Sequence, residues 1–400
     1  MMKQLYSYPE EWLRQRQALH TAREIHQQPW LWRRLTQRLH QLQPQWQPFL
    51  QTLLRQPDLR IVLCGAGSSD YIGRALAPWL CEATGRDVVA CATTDIVPAP
   101  LHYLHPTRPT LLVSYGRSGN SPESLAAVTL ADRMLPDCHH LVITCNAEGE
   151  LARFGQNRQR ARTLLMPSEA LDQGFAMTSS FSCMLLATLL TLGPWPLAQS
   201  DEMLQSVADW CDQQQASWQQ QCKPLARGGF TRVVCLGAGC LSGVAQEAAL
   251  KILELTAGRI ASRYDTPLGL RHGPKFMIDG GTLVLLLLST DPYRRGYERD
   301  LLHELRKDGL ARRVVALSGD RDADMPETLA VAGAHDDIWL SLPYLMFLQL
   351  LALETALALG VTPDNPCPSG EVNRVVQGVT LYPYPTGQGA WQPRQQEEDA

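Results

Sequence analysis

Short runs with no polar face alternate along the chain with longer stretches in which apolar side chains recur every three to four residues. The runs Arg60-Ile61-Val62-Leu63-Cys64, Thr110-Leu111-Leu112-Val113 and Leu141-Val142-Ile143-Thr144 are apolar on both faces. Strands of this kind are buried between two layers of helices, as in parallel sheets. The stretches 71–81, 122–134 and 244–255 carry helical spacing instead. Strand, glycine turn, helix, strand predicts right-handed βαβ units and hence doubly wound sheets covered by helices on both faces.

The pattern is written twice. The first run and its glycines, ending Gly65-Ala66-Gly67, return 172 residues further on (60 to 232) as Arg232-Val233-Val234-Cys235-Leu236-Gly237-Ala238-Gly239. The second run returns at the same offset as Thr282-Leu283-Val284-Leu285, and the third, displaced by 173 (141 to 314), as Val314-Val315-Ala316-Leu317. Three matched runs at nearly constant spacing predict one α/β architecture in tandem. The expected layout is an N-terminal helical arm over 1–50, a first module over 51–215, a second over 216–385 and a flexible polar tail over 386–400. The arm, rich in Gln, Trp, Leu and Arg, predicts two or three amphipathic helices broken at Pro29, Pro44 and Pro48. A helix over 203–226 is expected to join the modules.

Composition narrows the class. With 45% apolar and 19% charged residues in 400, the chain has material for more than one core, and wholesale disorder is excluded. The near balance of 36 Lys and Arg against 40 Asp and Glu argues against a nucleic-acid partner. Eleven cysteines without a C-x-x-C pair read as reduced, buried side chains, not as a disulfide frame or a metal site. Met1-Met2-Lys3-Gln4-Leu5-Tyr6 lacks the apolar core of a signal peptide, and the longest membrane-like stretch, 184–192, is too short to span a bilayer. A cytoplasmic protein without a membrane partner is expected.

Candidate chemistry starts at the glycine turns, whose backbone N–H groups approach anions at a helix start. As a dinucleotide motif they are incomplete: Asp70 takes the third glycine's place in the first copy, and Gly243 falls one place late in the second. A tight turn without a ligand is the other reading. The first copy continues into Ser68-Ser69, and its second strand into Gly116-Arg117-Ser118-Gly119-Asn120-Ser121-Pro122-Glu123-Ser124. Two hydroxyl-rich loops at strand C-termini, with one Arg, form a phosphate cradle; ordinary N-capping by Ser121 is the competing explanation. The matching second-module loop, Ser289-Thr290-Asp291-Pro292-Tyr293, is expected to have lost this character.

Glu247, Lys251 and Glu254 share one face of the helix after the second glycine turn, among Ala248, Ala249, Leu250, Ile252 and Leu253. Such a stripe is either a solvated ladder or, on a buried helix, an acid–base group. His272, between glycines and prolines in Leu268-Gly269-Leu270-Arg271-His272-Gly273-Pro274, suits proton exchange with a sugar hydroxyl, or serves only the loop.

At these residues the sequence resembles the sugar isomerase (SIS) domain family, most closely its AgaS branch of galactosamine-6-phosphate deaminase/isomerases. The likeness runs from Thr21-Ala22-Arg23-Glu24-Ile25 to about Tyr384 and includes Asp364-Asn365-Pro366 and Glu371-Val372-Asn373-Arg374. It implies two flavodoxin-like SIS domains and a phosphate held by Ser69, Ser118 and Ser121, with Ser68 and Arg117 nearby. It further implies Ser179 as a substrate-lining residue, Glu254 as the proton shuttle and Glu247 and Lys251 as its flanking residues. His272 would open the sugar ring from a neighbouring subunit, so a homodimer or larger homo-oligomer is expected. No metal or organic cofactor is implied. The sequence departs from the family at Gly116, where a serine is common, and at Gln377, near the place of a C-terminal catalytic lysine in the synthase branch. The activity implied is conversion of galactosamine 6-phosphate and water to tagatose 6-phosphate and ammonia. A plain aldose–ketose isomerase and a non-catalytic sugar-phosphate sensor are the alternatives.

Overall fold

The computed structural model describes residues 4–156, 158–319, 328–330, 336–376 and 378–385. Gln377 and the 386–400 tail lie outside the described residues.

The apolar runs form two five-stranded sheets. In the first, β1 (Arg60–Gly65), β2 (Asp87–Ala92), β3 (Thr110–Gly116), β4 (Cys138–Thr144) and β5 (Ala161–Leu165) lie in the order β2-β1-β3-β4-β5. The second holds β6 (Arg232–Leu236), β7 (Ala261–Asp265), β8 (Thr282–Leu287), β9 (Arg313–Ser318) and β10 (Leu329–Ala330) in the order β7-β6-β8-β9-β10. All pairings within both sheets are parallel. Both sheets therefore follow the flavodoxin-like order 2-1-3-4-5, whose reversal opens a crevice beside the first strand. Every residue of β3 and of β8 is buried, which is why these runs have no polar face.

The helices that matter for the site are α1 (Leu19–His26), α2 (Gln28–Leu53), α3 (Ser68–Thr84), α4 (Pro122–Met134), α5 (Ser179–Leu192), α6 (Leu197–Ala226), α7 (Cys240–Leu255), α8 (Pro292–Asp308) and α9 (Asp337–Ala358). The expected breaks at Pro44 and Pro48 are absent: α2 runs through both. Both prolines are exposed, so their rings and the carbonyls of His40 and Pro44, which lose an N–H donor, lie on the water-facing side, while Leu35, Leu39, Trp46, Leu50 and Leu53 keep the buried stripe continuous. The expected module boundary at 215 falls inside the single helix α6. Among the described residues the longest apolar helix is not the 184–192 stretch but α9, with 22 residues, and 94% of its most apolar stretch is buried within the protein. It packs in the core, as α5 does.

One apolar cluster runs through both modules. The glycine-turn helices α3 and α7 cross at Gly243, where a Cβ would stand 2.3 Å from the backbone nitrogen of Ala75. That is the physical reason for the misplaced glycine of the second motif: it serves a helix crossing, not a ligand.

Candidate active site

The β1–α3 turn is set by close approach. A Cβ on Gly65 would meet the Ser69 carbonyl carbon at 2.5 Å, and Gly67 has φ +57° and ψ −129°, a conformation that only glycine adopts without strain. Gly239 repeats it at φ +56° and ψ −131°. Ser68 and Ser69 then open α3 at the topological switch point between β1 and β3.

The β3–α4 loop is braced from behind. Thr144 Oγ1 donates to the Gly116 carbonyl at 2.6 Å, Asn146 Nδ2 to the Ser118 carbonyl at 2.9 Å, and the Glu150 N–H to Asn120 Oδ1 at 3.0 Å. Ser121 occupies the N-cap position of α4, yet its side chain makes no capping bond. N-capping therefore does not account for this serine. At Gly116 a Cβ would stand 2.9 Å from Leu151 Cδ1 and 3.1 Å from the Gly119 Cα, so the loop is packed around the missing side chain.

Arg117 is buried without a carboxylate partner among the described residues. It donates to the carbonyls of Phe175 at 2.8 Å and Arg374 at 2.7 Å. Burial, with Arg374 beside it, draws its pKa down against the pull of Asp172, Glu254 and Glu24.

The α7 stripe is buried, not a surface ladder. Lys251 is fully enclosed and touches Glu254 in a short contact, Glu247 Oε1 at 3.3 Å and Ser68 Oγ at 3.0 Å. The last contact ties the second module to the first module's glycine turn. Among the described residues, neither carboxylate oxygen of Glu247 receives a well-directed hydrogen bond. Burial pushes Glu247 up to about 7, with Lys251 pulling it back and Glu254 adding to the rise. Burial presses Lys251 downward, but the two carboxylates outweigh it and hold the ammonium above its ordinary value. Glu254 keeps 24% side-chain exposure and opens into the same cavity as the serine loops.

That cavity has a volume of about 860 Å³. Ser68, Ser69, Arg117, Ser118 and Ser121 line it, as do Ser124, at the end of the quoted loop, and Thr94, which sequence reasoning did not single out. Its far wall is a strap reaching over from the end of the second module, in which Cys367, Asn373, Arg374 and Val376 face the cavity. The motif around Asn373 was visible in the sequence; its contact with the first module was not, because it depends on how the modules pack.

Two expected residues lie elsewhere. Ser179 is fully buried at the start of α5, donating to the Glu24 carbonyl at 2.6 Å and accepting from Gln27 Nε2 at 3.1 Å. It does not line the cavity. Its neighbourhood is polar because the Asp172 carboxylate caps α5, accepting from the N–H groups of Thr178, Ser179 and Ser180 at 2.8–3.1 Å. His272, in the turn after β7, is exposed and does not line the cavity of its own chain.

The second module's serine loop has kept its anion-holding character and fills it internally. Asp337 accepts from Ser289 Oγ at 2.5 Å, Thr290 N–H at 2.7 Å, Thr290 Oγ1 at 3.0 Å and Arg294 at 3.3 Å. A carboxylate of the chain sits where hydroxyls, an N–H and an Arg converge.

A crevice lined by hydroxyl-rich loops joins a buried carboxylate–ammonium group, and the SIS domain profile matches residues 53–192. The D-galactosamine-6-phosphate deaminase AgaS of Shewanella sp. (strain ANA-3) is 45% identical over 379 residues, 94% of each chain. The D-galactosamine-6-phosphate deaminase AgaS of Escherichia coli is 44% identical, covering 91% of this chain and 96% of its own. The crystal structure of tagatose-6-phosphate ketose/aldose isomerase from Escherichia coli superposes with a TM-score of 0.84 at 41% identity, covering 92% of this chain and 97% of that one. The chain belongs to the AgaS family of SIS-domain proteins.

Proposed function

We propose that the chain is an enzyme that converts galactosamine 6-phosphate and water to tagatose 6-phosphate and ammonia. Relatives of that name, similar over nearly their whole length, support the substrate and reaction. The observation that carries the site assignment is that the serine loops, with a Ser121 hydroxyl that caps nothing, and the Glu254 carboxylate line one cavity.

In this reading the phosphate docks on Ser69, Ser118 and Ser121, favoured by the N-termini of α3 and α4 and by the Arg117 charge. Ser68 is less free, because its hydroxyl already accepts from Lys251. His272 of a second copy moves a proton between O1 and the ring oxygen and opens the pyranose; its exposure in the single chain suits that role. Glu254 removes the C2 proton of the open aldose while O1 gains one, giving an enaminol. Returning the proton to C1 leaves an imine at C2. Water adds to that carbon, the C2–N bond breaks, and ammonia departs from the resulting ketose. Lys251 holds Glu254 in place through their short contact, and Glu247 sets the charge on Lys251.

Glu254→Gln is expected to lower ammonia release at least about 100-fold while galactosamine 6-phosphate still binds, because only proton transfer is lost. Retained turnover would remove Glu254 from the role. The name of the Escherichia coli structural relative favours a second reading, aldose–ketose isomerisation without deamination. Ketose formation without stoichiometric ammonia would select it.

A further inference from the structure

Helix α1 stands behind the cavity and grips two of its walls. At its N-terminus the Asp364 carboxylate accepts from the N–H groups of His20 at 3.0 Å and Thr21 at 2.8 Å, and from Thr21 Oγ1 at 2.7 Å, anchoring the strap. Further along, the buried Glu24 carboxylate accepts from the backbone N–H groups of Gln173 and Gly174, the latter at 3.1 and 3.2 Å to its two oxygens. The approach has no slack: a Cβ on Gly174 would stand 2.8 Å from Thr21 Oγ1 and 2.9 Å from Glu24 Oε2. Immediately beyond, Phe175 and Met177 line the cavity. From the cavity side Arg117 ties the same two walls together, through the Phe175 and Arg374 carbonyls, and Arg374 donates to the Asp172 carbonyl.

We propose that Glu24, outside the cavity, is a positioning residue for it: by holding the N–H groups of Gln173 and Gly174 it places Phe175 and, through the Phe175 carbonyl, aims the Arg117 guanidinium at the substrate phosphate. The inference rests on the sugar-phosphate reading of the cavity and adds to it a part for the N-terminal arm. Without the carboxyl, two N–H groups in a closely packed loop lose their acceptor, and the loop must move to find another.

The groups facing Glu24 give the positioning a pH dependence. Asp172 faces it from the α5 side, Asp364 from the strap and Arg117 from the cavity. Burial first, then Asp172 and Asp364, push the Glu24 carboxyl up to about 8, against the two backbone N–H groups. A carboxyl raised in the folded state contributes fully only below its unfolded pKa, and that contribution is lost as pH climbs from there to the folded pKa. Above about pH 8 Glu24 becomes a third negative charge beside Asp172 and Asp364.

The test is steady-state ammonia release from galactosamine 6-phosphate by Glu24→Ala and Glu24→Gln. Alanine is expected to raise KM about tenfold, equivalent to about 1.4 kcal/mol, with kcat within about twofold. Glutamine, which keeps an acceptor oxygen, should return KM at pH 7 to within about twofold of wild type and abolish the rise in KM that wild type shows above pH 8. A wild-type KM in the alanine variant, or a loss confined to kcat, overturns the proposal. So does glutamine failing to rescue. Should the alanine variant not fold, Gly174→Ala pushes the same loop off Glu24 and must raise KM likewise; an unchanged KM there is equally fatal. Absence of ammonia release by wild type would sink the functional reading instead. Equilibrium binding of galactosamine 6-phosphate, expected to weaken about tenfold in Glu24→Ala, then decides the positioning question by itself.

Discussion

Replacing Lys251 by methionine keeps the volume of a fully enclosed side chain and removes the only cation that touches both Glu247 and Glu254 among the described residues. With Lys251 present, burial already holds Glu247 up to about 7. Without it, burial and the Glu254 charge push upward, and only Ser68 pulls the other way. Buried glutamates without a cation reach roughly 8–9. A further rise of about two units corresponds to ~2.7 kcal/mol. The sign follows from linkage. A carboxyl whose folded pKa exceeds its unfolded value loses stability as pH climbs from the unfolded pKa to the folded one. Wild type has completed that loss near pH 7, whereas the variant continues to lose up to about pH 9. At pH 6 Glu247 is protonated in both proteins, and only the contact with the partly exposed Glu254 is lost, under about 1 kcal/mol. With roughly 2.1 cal/mol/K of unfolding entropy per residue, a chain of this length shifts Tm by about 1 °C per kcal/mol. Thermal unfolding of wild type and Lys251→Met at pH 6 and pH 9 should therefore show a gap of about 1 °C opening to about 3–4 °C. Adding Glu247→Gln should close most of the alkaline gap. Equal gaps at the two pH values, or no recovery in the double variant, would refute the account of Lys251 as counter-ion to a buried carboxylate.

Ser121→Ala removes a hydroxyl that caps nothing, so thermal stability should stay within about 1 °C. KM for the sugar phosphate should rise at least about tenfold, the worth of a hydrogen bond to a charged group. An unchanged KM would place the phosphate elsewhere. Co-expression of Glu254→Gln with His272→Asn tests whether the site is shared between copies. Random pairing puts half the chains in mixed dimers with one intact site each, so about one quarter of wild-type activity should return from two inactive parents. No recovery would return His272 to its own chain's loop.

The fold was legible because its strands are buried on both faces, and such strands cannot hide in a sequence: Thr110 to Val113 and Leu283 to Leu287 have no polar side to confuse the reading. The glycine turns were legible for a related reason, since Gly67 and Gly239 stand where other residues would be strained. The serine loops and the Glu247–Lys251–Glu254 stripe were visible as chemistry out of keeping with its surroundings. What was missed depends on contacts across sequence distance. Pro44 and Pro48 look like helix breaks until the side of α2 on which they lie is known. Ser179 looks like a ligand residue until its hydroxyl is found spent between Glu24 and Gln27. The serine loop of the second module looks degenerate only while Asp337, far along the chain, is left out. Glu24 sat in a recognisable motif, but nothing local says that its carboxyl reaches a loop some 150 positions away.

The strap has a consequence for the order in which this molecule comes into being. Arg117 and the Arg374 carbonyl it holds are 257 positions apart, so a growing polypeptide carries its serine loops through synthesis of the whole second half before the last wall exists. An early fragment that had folded its first sheet would present an open groove, able at most to hold an anion loosely. The enclosed compartment arises only once the strap, made after both sheets, is threaded back across the first module.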